Sequence, residues 1–174
     1  MEDTFINFYS RLIKEFETDK KFEEIRCKTE KIKWPNTSGV YLVWKSAVSS
    51  IDDLLYVGMT GKFKRNKKNE IVFNSGTFDK RKSRWTPYRF CETERDGENY
   101  FSFRYGPKYK LKEQGRRKYE LDAYRETIEY SKLTIHCFLI TANHKNYTPE
   151  LLEKEILTKY LKDSGALPPA NNEL

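Results

Sequence analysis

The sequence predicts an α+β fold, with a small, mainly antiparallel sheet of three strands flanked by helices. Two runs of β-branched and aromatic residues, VYLVW (40–44) and DLLYVG (53–58), are close in the chain and typical of paired strands. The most apolar run, LTIHCFLIT (133–141), is a candidate central strand. Amphipathic segments lie before and after these runs, and this order of helices and strands indicates an α+β arrangement.

The first predicted element is a helix over residues 4–30, in which apolar residues from Phe5 to Ile25 recur near the i, i+3, i+4 spacing. The segment KWPNTSG (33–39) breaks the pattern with a proline and a glycine. The next connection, KSAVSSIDD (45–53), is polar and longer than a tight turn. The two strands around it are therefore expected to form a hairpin with a loop.

The middle of the chain is basic and aromatic. A basic stretch (62–70) and a short IVF run (71–73) precede TFDKRKSRW (77–85), which predicts a short helix with Thr77 as its N-cap. Residues 91–112 are expected to be irregular, and a helix is expected over about 115–130.

The last predicted helix has the clearest boundaries. Thr148 is placed as its N-cap, Pro149 occupies the first helical position, and Glu150 lies in the first turn. The helix is expected to close near Gly165, before a tail rich in turn residues.

Length and composition limit the class of protein. A chain of 174 residues is expected to form a single domain, 1–174. Three scattered cysteines and two histidines argue against a disulfide framework and a multi-histidine metal site. No apolar run approaches the roughly 20 residues that span a bilayer, and no apolar signal segment is evident. A cytoplasmic protein that does not act in a membrane is expected.

The positive charge is concentrated in one third of the chain. The net charge is +7, yet residues 62–118 hold 18 Lys and Arg against 7 Asp and Glu. The rest of the chain is mildly acidic. Basic residues clustered among aromatics favour a polyanionic partner, nucleic acid above all.

Two tripeptides carry a resemblance to a known family. Gly39-Val40-Tyr41 and Tyr56-Val57-Gly58 resemble the paired signature of the GIY-YIG nuclease superfamily. That family's pattern continues with an arginine on the next helix, a glutamate on a late helix and an asparagine after a proline, and all three types occur here in that order. The resemblance covers residues 38–174. It leaves 1–34 as an N-terminal helical extension, with inserts at about 59–76 and 91–114.

Tyr41 and Tyr56 are the first candidate catalytic residues. Either tyrosine alone is explained by core packing, but two strand tyrosines that face one cleft can order and deprotonate a water together. A phenol with a pKa near ~10 needs a neighbouring cation or phosphate network to act as a base. Tyr56 is the preferred base, with Tyr41 beside it, and which of them takes the proton stays open.

The resemblance implies one catalytic arginine, and two positions compete for it. Arg81 has the apolar Phe78 three residues before it, whereas Arg84 has Tyr88 four residues after it, as the family often does. A guanidinium at this place would grip the scissile phosphate through forked hydrogen bonds. Arg81 is slightly preferred, and the other arginine would bind the DNA backbone.

The metal ligand implied by the resemblance is Glu153. It has apolar residues three and four positions on, unlike Glu150 and Glu155. One carboxylate can hold Mg²⁺, with waters and phosphate completing its shell, and Mn²⁺ is expected to substitute. The family asparagine is assigned to Asn171, three residues after Pro168, with Asn172 as the alternative.

The expected substrate is double-stranded DNA. Free-standing members of this size resemble type II restriction endonucleases, so sequence-specific, Mg²⁺-dependent cleavage is implied. Two active sites for two strands would be supplied by a homodimer, and a DNA methyltransferase would belong to the same system without being a subunit. The alternatives are a repair or mobile-element nuclease of little specificity and a non-catalytic nucleic-acid-binding module. The expected DNA contacts are Lys62, Lys64, Arg65, Arg104, Lys108, Lys110, Arg116 and Arg117.

Overall fold

The computed structural model describes the chain in segments, which are residues 4–26, 35–45, 50–65, 67–68, 71–74, 90–95, 98–104, 110–113, 116–119, 125–129, 132–142, 144–169 and 171. In the strands between residues 62 and 129 the description is of the backbone alone.

Two α-helices, one short 3₁₀ helix (Ile51–Asp53) and eleven strands lie within these segments. The helices are α1 (Phe5–Thr18) and α2 (Pro149–Ser164). The strands are β1 (Phe22–Arg26), β2 (Gly39–Lys45), β3 (Leu54–Thr60), β4 (Lys62–Arg65), β5 (Ile71–Asn74), β6 (Phe90–Arg95), β7 (Glu98–Arg104), β8 (Lys110–Glu113), β9 (Arg116–Tyr119), β10 (Arg125–Glu129) and β11 (Leu133–Leu139).

The main sheet has four antiparallel strands in the order β1-β11-β2-β3. The α+β prediction is therefore confirmed at that level, whereas the predicted count of three strands is wrong. The predicted strands 40–44, 53–58 and 133–141 correspond to β2, β3 and β11, and β11 lies inside the sheet as expected. The fourth strand is β1.

β1 lies in a segment that was predicted to be helical. α1 ends at Thr18, and Lys20 has a φ of 55°, which turns the chain out of the helix. Phe22 and Ile25 lie three apart, a spacing compatible with a helix, but they stand in a strand opposite Phe138 and Ile135 of β11. Pairing with β11 satisfies backbone donors and acceptors along that strand, so tertiary pairing overrides the local pattern.

The basic middle of the chain also differs from its prediction. The helix expected over 115–130 is wrong, because β9 and β10 occupy most of that range. Residues 91–112 contain strands rather than irregular chain throughout. β6, β7 and β10 form a three-stranded sheet, and β4–β5 and β8–β9 are separate two-stranded ladders. Each ladder pairs segments that are close in sequence. The spacing of apolar residues does not reveal this local pairing. The helix predicted over 77–85 lies outside the described residues.

α2 forms as its sequence predicts. The Thr148 side chain accepts a hydrogen bond from the Leu151 N–H, Pro149 opens the helix, and Gly165 ends it with a φ of 77°. A left-handed residue after a helix favours glycine because an L side chain is strained there.

The core lies between one face of the main sheet and the two helices. Alternate residues of β2 point to this face, where Trp44 is fully buried between Phe5 and Tyr9 of α1. α2 contributes Leu152, Ile156, Leu157 and Tyr160 to the same cluster. The buried residues of this cluster are Phe5, Phe8, Tyr9, Leu12, Phe16, Val40, Leu42, Trp44, Leu54, Val57, Phe138, Ile140, Leu152, Ile156, Leu157 and Tyr160.

Candidate functional site

The two signature tyrosines lie together on the opposite face of the main sheet. Tyr41 stands opposite Gly58, and Val43 stands opposite Tyr56, so both tyrosines alternate to the same side. Their ring centroids are 5.8 Å apart at an interplanar angle of 48°. They are 4% and 5% exposed. The strand pairing thus brings the predicted pair together. The position of the two rings is compatible with packing in the core and with a chemical role.

Gly58 is what allows the two rings to meet. A Cβ atom at this position would lie 2.5 Å from Tyr56 Cε1 and 2.9 Å from both Cζ and Oη of Tyr41. Its φ is not in the left-handed region, so the requirement for glycine is steric rather than conformational. The tyrosine hydroxyl of β2 therefore reaches across the strand pair and ends directly over the β3 backbone.

Asn171 anchors the end of the chain beside this pair. Its Oδ1 accepts a hydrogen bond from the Val57 N–H at 2.9 Å, and its Nδ2 donates to the Val57 carbonyl at 2.8 Å. Val57 lies between Tyr56 and Gly58, on the last strand of the main sheet. The side-chain amide thus pairs with the outer edge of β3 as a neighbouring strand would. Asn171 itself is 8% exposed.

Glu153 occupies the side of α2 that faces the sheet. On a helix with about 100° per residue, it lies about 35° from the centre of the buried arc, whereas Glu150 and Glu155 lie about 95° and 125° away. Glu150, Glu153 and Glu155 are all half-buried, so direction rather than burial distinguishes them. Glu155 instead lines a shallow cavity of 390 Å³ on the outer side of the helix, with Leu151 and Lys154 among its neighbours. Of the three carboxylates, Glu153 lies nearest the buried side of α2. That side packs on the core face of the sheet, opposite the face that carries Tyr41 and Tyr56.

The side chains available as donors limit how a metal ion could be held. Within the described segments, no group of three or more His, Cys, Asp and Glu side chains could hold one. Mg²⁺ does not need such a group, because it keeps several waters and is commonly bound through one or two carboxylates together with substrate phosphates. The half-buried carboxylate of Glu153 fits that mode of binding, and zinc-like coordination by a protein cage does not fit the described residues.

Several predicted site residues lie outside the described residues, namely Arg81, Arg84, Tyr88, Lys108 and Asn172. Of the other predicted DNA contacts, Lys62, Lys64 and Arg65 lie on β4, Arg104 on β7, Lys110 on β8, and Arg116 and Arg117 on β9. β4 follows β3 after Gly61 alone, so it continues directly from the strand that carries Tyr56 and Gly58.

Sequence reasoning missed one participant. Val57 lies on the core face of β3, yet its backbone binds Asn171. Strand alternation predicts that its side chain points away from the tyrosines, but no sequence signal pairs its peptide group with a residue 114 positions later. The pairing becomes visible only when α2 returns the chain to β3.

No family model, curated protein or solved structure matches the chain. No helix in the described segments is long and apolar enough to cross a membrane.

Proposed function

We propose that this chain is a GIY-YIG-type endonuclease that hydrolyses phosphodiester bonds in double-stranded DNA. One observation carries the proposal: Tyr41 and Tyr56 converge over Gly58, and Asn171 is hydrogen-bonded to the peptide between the second tyrosine and that glycine. Packing alone explains a pair of buried rings. The Asn171 amide supports the proposal because it fixes the β3 backbone between Tyr56 and Gly58, at the position where the resemblance implies an asparagine.

The chemistry needs a deprotonated water, a neutralised phosphate and a stabilised leaving oxygen. One tyrosine, whose own proton is first drawn off to solvent beside the cationic groups of the site, would orient the water and take its proton as a phenolate, and the second tyrosine would support it. The water oxygen forms a bond to phosphorus as the bond to the leaving oxygen breaks, and the leaving oxygen takes a proton from solvent. Arg81 or Arg84 would grip the phosphate oxygens.

Glu153 is the residue that would hold Mg²⁺, which supplies Lewis-acid charge stabilisation when bound. Its half-buried position limits competition from bulk water, and its place on α2 fixes it relative to the sheet. Mn²⁺ should replace Mg²⁺ because both accept carboxylate oxygen.

The basic third of the chain supports DNA as the substrate. The basic residues are concentrated between residues 59 and 118, so recognition would come from the strands and connections of that range. We place the protein with sequence-specific restriction endonucleases of type II. Its active form would be a homodimer that cuts both strands, paired in the same system with a DNA methyltransferase.

The burial of both tyrosines favours a second candidate, a non-catalytic DNA-binding module that keeps the fold. Phenols that are only 4% and 5% exposed are placed as packing residues are. An assay of DNA cleavage distinguishes the two candidate functions, whereas an assay of DNA binding does not.

The first experiment incubates the purified protein with plasmid DNA and Mg²⁺. Discrete fragments support a restriction endonuclease, a smear supports a nuclease of little specificity, and uncut DNA contradicts the enzyme. Glu153→Gln should abolish cutting while duplex binding persists. Glu155→Gln is the matched control, since it removes the same charge from the outer side of the same helix. Equal loss in both variants would contradict the assignment of Glu153.

A second experiment tests the DNA contacts by charge. Lys64→Gln combined with Arg65→Gln should weaken duplex binding and lower the salt dependence, by about 0.9 in log–log slope for each phosphate that is no longer neutralised. Lys14→Gln combined with Lys145→Gln removes the same charge outside the basic third and should leave the slope unchanged. Equal effects in the two pairs would show that net charge alone governs binding.

A further inference from the structure

A buried polar chain joins α1 to the main sheet. The Trp44 indole N–H donates to Tyr9 Oη at 3.3 Å, and Tyr9 Oη lies 2.7 Å from His136 Nδ1. The other ring nitrogen, His136 Nε2, lies 3.3 Å from Glu24 Oε2. Tyr9, Trp44 and His136 are 1%, 0% and 3% exposed. Three strands and α1 thus contribute to one line of polar groups through the core.

Donor and acceptor counting assigns the protons in this chain. The indole of Trp44 can only donate, so Tyr9 Oη accepts from it and has its own proton to give. His136 Nδ1 is the acceptor within reach, which makes the ring neutral with its proton on Nε2. Burial raises the pKa of Tyr9 well above its ordinary value, so this hydroxyl stays protonated.

A second proton on the His136 ring disrupts this arrangement of donors and acceptors. Nδ1 would become a donor, and the Tyr9 hydroxyl proton would lose its acceptor inside the core. Nε2 gains little in return, because this fully buried atom has no well-aligned hydrogen bond although it lies near Glu24. A buried polar group left without a partner is costly.

We propose that His136 is an acid-sensitive anchor of α1, so that protonation of its ring releases this helix from the sheet. The anchoring bond comes from Tyr9, which lies in the middle of α1, and it is the buried hydrogen bond between that helix and β11. Around the anchor, α1 is held mainly by aromatic packing. It also contacts two titratable groups, the His144 ring stacked on Phe16 at 5.1 Å and the Asp163 carboxylate bound by the Phe5 N–H.

The charged and titratable groups that face His136 come from each element packed on it. α1 supplies Tyr9, and β1 supplies Glu24, which in turn accepts a hydrogen bond from Arg26 at 2.8 Å. β2 supplies the uncharged Trp44, whereas Cys137, the next residue of β11, points to the other face of the sheet with Tyr41. Glu24 favours the charged imidazole, but burial outweighs it and lowers the pKa of His136 below its ordinary value.

The anchor weakens in acid rather than in base. The folded protein resists protonation of His136 more than the open state does. The anchor is therefore at full strength above about pH 6.5, the ordinary value for histidine, and weakens as the pH falls toward the lowered pKa.

Release of α1 would also change the packing of α2. The Phe5 N–H at the start of α1 donates to Asp163 Oδ2 near the end of α2 at 2.8 Å, and the Phe5 ring packs edge-on against Tyr160 at 5.3 Å. α1 therefore braces the helix that carries Glu153. This consequence rests on the proposed function, whereas the anchor itself does not.

The test combines two measurements on the whole protein. NMR titration gives the His136 pKa, and assignment is simple because the chain has only two histidines. Hydrogen exchange gives the protection factors of the α1 amides between pH 7.5 and 5. We assume that His136 has the ordinary histidine pKa of about 6.5 when α1 is open. Each unit by which the measured pKa of His136 lies below that value then lowers the protection factors of the α1 amides by at most tenfold between high and low pH. The two measurements thus check each other without a variant.

Variants make the test specific. In His136→Asn the amide oxygen can still accept from Tyr9 but cannot titrate, so α1 protection should lose the part of its pH dependence that comes from His136. His144 stacks on Phe16 of α1, so His144→Asn is the comparison variant, and it should keep the part of the loss that comes from His136. The proposal is overturned if α1 protection stays flat in the wild type, if His136→Asn retains the full wild-type loss, or if β2 and β11 lose protection to the same extent as α1. Cleavage plays no part in these readouts, so a failure here is distinct from a failure of the proposed nuclease.

Discussion

Gly58→Ala is the substitution whose effect the structure predicts most directly. Alanine is normally preferred to glycine within a strand by about 0.5–1 kcal/mol. At position 58 the added methyl would lie 2.5 Å from Tyr56 Cε1 and 2.9 Å from two atoms of Tyr41. Both rings are almost fully buried, so neither can swing freely into solvent.

The magnitude comes from the balance of these two effects. Overpacking a filled core by one methyl group costs about 1–3 kcal/mol. After the gain in strand propensity is subtracted, Gly58→Ala should destabilise the protein by about 1–2 kcal/mol. Urea unfolding of the wild type and the variant, with an unchanged m-value, measures this difference.

A double-mutant cycle identifies the cause. Tyr56→Val removes the closest contact atom, so Gly58→Ala should cost less in that background than in the wild type. Equal costs in both backgrounds would show that the Tyr56 ring is not what excludes the methyl group. A Gly58→Ala variant as stable as the wild type would refute the packing described for the tyrosine pair.

Three further predictions concern other contacts. Asn171→Asp should destabilise the protein by about 1–3 kcal/mol, because the carboxylate cannot donate to the Val57 carbonyl; a loss in urea unfolding below about 0.5 kcal/mol would contradict it. Thr148→Ala removes the N-cap of α2 and should cost about 1 kcal/mol in the same assay, with helical circular dichroism retained. Burial, aided by the charge of Lys21, lowers the pKa of His144, whose Nδ1 accepts two backbone N–H groups. Stability should therefore fall as the pH drops below about 6.5, and His144→Gln should show less of this fall in urea unfolding at pH 7.5 and 5.5.

The parts of the fold that the sequence predicted are those whose signals are local. β2, β3 and β11 are dense in β-branched and aromatic residues, and α2 has a cap, a proline and a terminal glycine in the right order. β1 was not predicted because the spacing of Phe22 and Ile25 fits both a helix and a strand. In addition, the turn before it uses Lys20 at a φ of 55° rather than a glycine. The strands of the basic region were not predicted because pairing with a partner strand, rather than the spacing of their own residues, determines their structure.

The candidate site divides in the same way. The tyrosine pair could be predicted because two tripeptides place it on adjacent strands. The preference for Glu153 over Glu155 also followed from spacing, and its role as the metal ligand stays a prediction. The contact between Asn171 and Val57 could not be derived from spacing, since it depends on the length of α2 and the course of the chain after Gly165.

The hydrogen bonds between Asn171 and Val57 also determine how the site is assembled. β3 carries Tyr56 and Gly58, but it is the last strand of the main sheet in the described part of the chain, and outer strands are the easiest to displace. Asn171 binds both polar groups of the residue between these two, at the point where the Tyr41 hydroxyl crosses the strand. The return of the chain to β3 after α2 therefore stabilises the strand on which Tyr56 and Gly58 stand. Because α2 also carries Glu153, this helix links the proposed metal ligand to the strand that carries Tyr56 and Gly58.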